Sequence, residues 1–297
     1  MKFLIADAFT EKIFGGNPAG IVLLNPGESF PPDEIMRKTA AELRYSETAF
    51  IQQIEKTEFS LRYFTPAAEV ELCGHATIAA FYALSRLGIV HTGERCTNHT
   101  LAGDLSIDIG DGFVMMEMGE AKELKTIEDE CQIVELYKVM GASDAWKEFS
   151  SHKGHILPSI ITTGLPDIML PLPSRKSLND MAPDMAALSA LSEKYNVTGI
   201  HAFTLDAEKG YTAHTRNFAP LYDIDEEAAT GTSSGALTYY LFLNDIIGRE
   251  AKCRFLQGEA MSRPSVIMSE IDAHDDPCKI KVGGGAVILA EGEIHLP

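Results

Sequence analysis

The chain is short of several things, and each shortage removes a class of protein. Basic residues are scarce: 25 Lys and Arg stand against 43 Asp and Glu, a formal net charge of −18. Nucleic acids and anionic membranes are bound by basic surface that displaces counterions, so neither is an expected partner. No stretch approaches the roughly 20 continuous apolar residues that span a bilayer, so no membrane segment is expected. The five cysteines, at 73, 96, 131, 253 and 278, are scattered and odd in number, with no CxxC pair. That spacing argues against a disulfide framework and structural zinc and points to a reducing, cytoplasmic setting. The opening MKFLIADAF is too short an apolar run, without a small-residue cleavage site, for a signal peptide and is expected to be a strand. Phosphate-loop frames are missing too. Gly15-Gly16 and Gly283-Gly284-Gly285 fit neither GxxxxGK[ST] nor GxGxxG ahead of a helix. No histidine pair has HExxH spacing, and His152 and His155 sit three apart in a polar loop expected to be solvated.

What is present is a globular composition, 45% hydrophobic and 23% charged, over 297 residues. That length accommodates two domains, each with its own core. The organising stretch is 62–88, RYFTPAAEVELCGHATIAAFYALSRLG. It reads as a strand, a Thr-Pro turn, and a helix opened by Gly74-His75 and closed by Gly88. Ala76, Ile78, Ala79, Ala80, Phe81, Ala83, Leu84 and Leu87 leave the helix almost no polar face, and such a helix is buried. A similar design recurs at 226–248, where EEAATGTSSG runs into ALTYYLFLNDIIG. Two acid- or hydroxyl-bearing turns, each entering a buried helix through glycine, suggest an internal duplication.

Around these helices the sequence alternates in strands, with amphipathic helices expected at 31–43, 131–140 and 183–195. Most strands are joined by short connections, which predicts α+β with largely antiparallel sheet rather than regular βαβ alternation. The charged run GEAKELKTIEDE at 119–130 is the expected linker between halves.

Several motifs, taken in order, resemble the PhzF family, the phenazine-biosynthesis-like branch of the diaminopimelate epimerase fold. They are Gly16-Asn17-Pro18-Ala19-Gly20, Ser46-Glu47-Thr48-Ala49-Phe50, Phe64-Thr65-Pro66, Cys73-Gly74-His75-Ala76-Thr77 and Thr163-Gly164. Arg216-Asn217-Phe218-Ala219-Pro220, Ala229-Thr230-Gly231-Thr232, Gln257-Gly258 and Val282-Gly283-Gly284 complete the set. The resemblance implies two pseudo-symmetric domains, each a barrel-like, mostly antiparallel sheet wrapped around one buried helix. The expected domains are residues 1–118 with 284–297, and residues 119–283. It also implies an active site where the two buried helices start, no metal or other cofactor, a homodimer, and a proton-moving isomerase acting on a small anionic substrate.

Carried onto this chain, the resemblance makes Glu47 the general acid/base. Lying between Ser46 and the apolar run 49–51, its carboxyl is expected to be partly desolvated and its pKa raised toward working pH. His75 is expected as proton relay or positioning group, neutral at a helix N-terminus. Glu227 takes the place of the family's aspartate, one methylene longer, and Ala228 stands where the family has proline. Asn17, Ser46, Gly74, Gly164, Thr230, Gly231 and Thr232 are the expected substrate-binding residues, with N–H or hydroxyl donors able to surround a carboxylate. Arg216 is as readily a strand-end structural residue as a cleft residue. Cys73 raises the alternative of an amino-acid or hydroxy-acid epimerase or racemase using two opposed cysteines. Its counterpart is Thr230, a poor acid/base, so Cys73 is expected to be a small buried hydrophobe. A non-catalytic small-ligand-binding protein is the second alternative.

Overall fold

The computed structural model describes residues 1–150 and 156–297, so His152 and His155 lie outside the described residues. The chain divides into two compact units, residues 1–117 with 283–297 and residues 118–282. The first unit begins with β1 (Lys2–Ala8), β2 (Asn17–Leu23), α1 (Asp33–Leu43), β3 (Thr48–Gln53) and β4 (Glu58–Phe64). β5 (Glu69–Val70), α2 (Gly74–Arg86), β6 (Arg95–Thr100), β7 (Gly103–Ile109) and β8 (Val114–Glu117) follow. The second unit opens with β9 (Lys122–Thr126), α3 (Glu130–Val139), α4 (Ser143–Ser150), β10 (Ser159–Thr162) and β11 (Pro166–Leu172). α5 (Arg175–Asn179), α6 (Met185–Tyr195), β12 (Gly199–Thr204), β13 (Ala213–Ala219) and β14 (Ile224–Glu227) lead to α7 (Gly231–Leu243). After β15 (Glu250–Gln257) and β16 (Ser265–Asp272) the chain passes through β17 (Lys279–Gly284) into β18 (Ala286–Glu293) of the first unit.

The duplication is written in the strand pairing. In the first unit β1 pairs antiparallel with β2, β2 parallel with β3, and β3 antiparallel with β4. β4 then pairs antiparallel with β5 and parallel with β6, and β6 antiparallel with β7. In the second unit β10, β11, β12, β13, β14, β15 and β16 repeat that series, sign for sign. An outer strand flanks each series antiparallel, β18 against β1 and β9 against β10. The fold is thus α+β, two units of the same topology with mostly antiparallel strands, and in each the helix that follows the short fifth strand is the central one. α2 packs on β1, β2, β3, β7, β8 and β18, and α7 on β10, β11 and β16.

Burial explains why these two segments are central. Nine of the α2 residues from His75 to Leu84 are buried, and nine of α7 from Gly231 to Leu241. Each fully buried Leu, Ile or Phe contributes about 1.5–3 kcal/mol by leaving water, so neither helix has a face that solvent could take. Edge-on aromatic pairs lock the surrounding sheet: Phe59 on Phe81 at 5.4 Å in the first unit, Phe203 on Tyr240 at 5.5 Å in the second.

Three elements depart from expectation. The run 119–130 is not a bare linker, because residues 122–126 form β9, paired with β10 from Ser159↔Thr126 to Thr162↔Lys122 with a register shift between Ile160 and Ile161. Lys122 to Lys125 are all exposed, and a strand with no buried side carries none of the alternation that marks strands in sequence. α4 and α5 were also not expected. α4 runs over SDAWKEFS and seats Trp146 5.2 Å from Tyr137. α5 has only five residues, closed by a reciprocal capping box between Ser174 and Ser177. Among the described residues no helix is long and apolar enough to cross a membrane.

Candidate active site

The mouth of α2 gathers a cluster of ionisable and polar side chains. Cys73, at φ −139° and ψ 111°, is the residue before the first helical one, and no side chain caps the helix. A helix start is where backbone N–H groups can meet an anion. His75, two residues on, is buried. Its Nε2 lies 3.2 Å from Glu47 Oε2 and 3.4 Å from Ser46 Oγ. Its Nδ1 lies 3.2 Å from the Asn17 amide nitrogen and 3.5 Å from Cys73 Sγ. Ser46 and Glu47 arrive on the residues just ahead of β3, and Asn17 is the first residue of β2. Gly16 makes that last placement possible. It sits at φ +62°, and a Cβ there would lie 2.1 Å from the Ala8 carbonyl oxygen.

The charge state of this cluster is opposite to expectation. Burial pulls the Glu47 carboxyl upward, but the hydrogen bond and charge of His75, with Ser46 and Cys73, outweigh it and leave it below its ordinary value. Burial pulls His75 downward, yet the Cys73 sulfur and the Glu47 carboxylate raise it well above the imidazole range. The Cys73 thiol is itself pushed up to about 11, by burial first and the Glu47 charge second. It is therefore protonated at neutral pH, and Glu47 is the anion that His75 faces. Both directions are opposite to expectation, Glu47 toward its carboxylate and His75 toward its protonated form. The reason is proximity, because an opposite charge within about 4 Å outweighs both partial burial and the helix-end field.

Glu47, Cys73 and His75 bring one donor atom each within 4.8 Å of one another, close enough for one cation. The three side chains form one hydrogen-bonded cluster. Behind it, Tyr63 OH lies 2.6 Å from Thr77 Oγ1 and accepts from Asn98 at 2.9 Å, and Thr77 Oγ1 donates to the Cys73 carbonyl at 2.7 Å. This buried chain fixes the first turn of α2.

The mouth of α7 has the same backbone and different side chains. Thr230, at φ −129° and ψ 104°, stands where Cys73 stands, again without a side-chain cap. Its Oγ1 donates to Glu227 Oε2 at 2.6 Å, and Ser234 Oγ donates to the Thr230 carbonyl at 2.8 Å, as Thr77 does for Cys73. Thr163 Oγ1 donates to the Thr232 carbonyl at 2.9 Å. Gly164, at φ +148°, is exposed at the tip of the β10–β11 hairpin, with its N–H bonded to Thr162 Oγ1.

Sequence reasoning missed Gln257 here. Fully buried at the end of β15, it donates to the Glu227 carbonyl at 2.7 Å and to Thr230 Oγ1 at 3.1 Å, and accepts from Thr230 N–H at 3.3 Å. The signal was the pair Gln257-Gly258. Gly258 turns at φ +78° where a Cβ would strike the Arg263 carbonyl oxygen at 2.4 Å, and that turn ends the strand so that the amide reaches Thr230. Arg216 is structural: its guanidinium clasps Glu226 through two 2.8 Å bonds and donates to the Leu178 and Met181 carbonyls at 3.1 Å.

The structure thus brings Asn17, Ser46, Glu47 and His75 together with Gly74 at one helix mouth. It brings Glu227, Thr230, Gly231 and Thr232 together at the other, with Gly164 on the neighbouring hairpin.

Comparison with known proteins follows the same lines. An uncharacterized isomerase of Clostridium acetobutylicum is 33% identical over 98% of this chain and 96% of its own length. The crystal structure of a Bacillus anthracis phenazine biosynthesis protein of the PhzF family superposes with a TM-score of 0.83 at 27% identity, covering 99% of both chains. A hydroxyproline epimerase from Agrobacterium vitis shares the fold alone, with a TM-score of 0.61 at 12% identity over 99% of this chain and 90% of its own. The family model described as phenazine biosynthesis-like protein, PhzC-PhzF, matches residues 6–292, and the chain belongs to that family.

Proposed function

We propose that this protein is a cofactor-independent isomerase that moves a proton on a small carboxylate-bearing substrate, with Glu47 as general acid/base. The observation that carries this reading is the Glu47–His75 pair at 3.2 Å, buried beside an uncapped helix mouth. A carboxyl and an imidazole 3.2 Å apart are two proton carriers that can take a proton from carbon and return it. The Gly74 N–H, at the start of α2, is suited to a substrate carboxylate. Glu227, fixed by Thr230 and Gln257, is the second candidate for orienting or relaying, and Gly164, Gly231 and Thr232 for binding. Isomerases among the relatives support the class without giving a substrate.

An epimerase or racemase is the second reading, favoured by Cys73 lying 3.5 Å from His75 Nδ1. A two-cysteine mechanism needs a thiol at the other helix mouth, and Thr230 stands there. The test is carbon–hydrogen exchange. The protein is incubated in D₂O with a panel of small amino and aryl carboxylates, and deuterium at carbon is read by proton NMR. Label with a product of unchanged configuration supports the isomerase. Inversion at the labelled carbon, read by chiral chromatography, supports the epimerase. Turnover to a constitutional isomer supports the isomerase with or without label, and neither label nor turnover with any compound counts against both.

A further inference from the structure

Beneath the mouth of α7 lies an acid that the proposed chemistry does not use. Asp167, on β11, is 1% exposed. One of its oxygens accepts from Ser233 Oγ, in the first turn of α7, and the other is also buried, with the Gly199 backbone N–H as a weak donor to the carboxyl. Strand register puts Asp167 between Ile161 of β10 and Gly199 of β12. The other helix mouth has no such group. There the residue matching Ser233 is Ala76, and β2, the strand matching β11, reads NPAGIVL and holds no acid. A carboxylate and a bound anion at one helix end compete for the same partial positive charge and repel each other.

We propose that Asp167 takes up a proton from solvent when an anion docks on the first turn of α7, so that anion binding there is coupled to protonation of a buried acid. This rests on the reading above, in which the Gly231 and Thr232 N–H groups hold a substrate carboxylate. Burial pushes the Asp167 carboxyl up to about 6, against the Ser233 and Gly199 hydrogen bonds that lower it, so it changes charge within the range where an enzyme works. The other titratable groups around it are few. β12 contributes His201, one residue-pair further along the same face, which burial keeps neutral by lowering it to about 4. The turn before α7 contributes Glu227, already bonded to Thr230, and β9 contributes the exposed Glu123 opposite Ile161. β10 and the first turn of α7 contribute no ionisable group.

Sulfate is the probe, because its charge is constant over the range tested. It is titrated into the ¹⁵N-labelled protein at pH 5.0 and pH 7.5, following the Gly231 and Thr232 amide resonances, for wild type and Asp167→Asn. The expected result is affinity about tenfold tighter at pH 5.0 in wild type, one pKa unit of coupling being tenfold. In Asp167→Asn the affinities at the two pH values should agree within about twofold. The same pH dependence persisting in Asp167→Asn overturns the inference while leaving the anion site intact. Sulfate that shifts neither amide in either protein overturns the parent reading of this mouth and the inference with it. Should asparagine at 167 prevent folding, the Asp167 carboxyl is titrated by ¹³C NMR in wild type. A midpoint that rises with sulfate supports the coupling, and an unmoved one overturns it.

Discussion

The two helix mouths share a backbone and divide the chemistry. Cys73 and Thr230 have nearly the same φ and ψ, both helices start on glycine, and both receive a hydroxyl bond four residues on, from Thr77 and Ser234. What differs is what lies around that frame. At α2 the polar groups are a carboxylate, an imidazole and a thiol whose proton affinities depend on one another. At α7 they are hydroxyls and an amide, with Glu227 held by Thr230 and the acid Asp167 set underneath. One repeat thus gathers groups that titrate together, and the other mainly hydroxyls and an amide. A duplicated fold permits this, because the backbone supplies the anion-binding turn and leaves side chains free to diverge.

Substitutions that break this contrast are expected to act unequally. Glu47→Gln should cost the most, about 10²–10⁴-fold in catalysed exchange, the range for a general acid/base, whereas Gln257→Ala should mainly raise KM by loosening Thr230 and Glu227. Steady-state kinetics on the compound labelled in D₂O separates the two.

Next in size is a pH-dependent stability effect of Asp167. Its folded-state pKa, raised to about 6, exceeds the unfolded value. Its contribution is therefore fully present at acid pH and is lost as pH rises through the folded value. Asp167→Asn should be more stable relative to wild type at pH 8 than at pH 4, by roughly 2–3 kcal/mol in urea unfolding. An equal difference at both pH values would contradict the buried charge.

The shared hydroxyl bonds are expected to differ in worth. Thr77→Val removes a partner of buried Tyr63 and should cost about 1–3 kcal/mol, while Ser234→Ala loses a single bond and should cost about 0.5–1.5 kcal/mol. Equal midpoint shifts in denaturant would show that the Tyr63 chain adds nothing. Smallest of all, Cys73→Ala is expected to keep exchange within about threefold of wild type, and its loss would move weight to the epimerase reading.

Much of the central architecture was legible because it rests on composition. Helices apolar on every side have to be interior, so the two segments could be placed from residue type, although the second reads as 236–248 in sequence and in fact runs from Gly231 to Leu243. The exposed charged strand β9 could not, since its hydrogen bonding to β10 leaves no trace in hydrophobic alternation. Neither could the short α5, whose stability lies in a capping box rather than in a periodic face. At the site, motif order brought Glu47 and His75 into view, but their charge state needs a distance. Asp167 was invisible for a related reason. It is a polar residue in an otherwise apolar strand, and its partner Ser233 lies 66 residues away.

The central claim, that Glu47 carries a proton to and from substrate carbon, is tested most directly by chemical rescue. Glu47→Ala is assayed for carbon deuteration in D₂O, with and without added acetate, on the compound that wild type labels. The account predicts exchange lost in the variant and partly restored, saturably, by acetate occupying the vacated carboxylate position. Exchange at the wild-type rate by Glu47→Ala without any added carboxylate would contradict it.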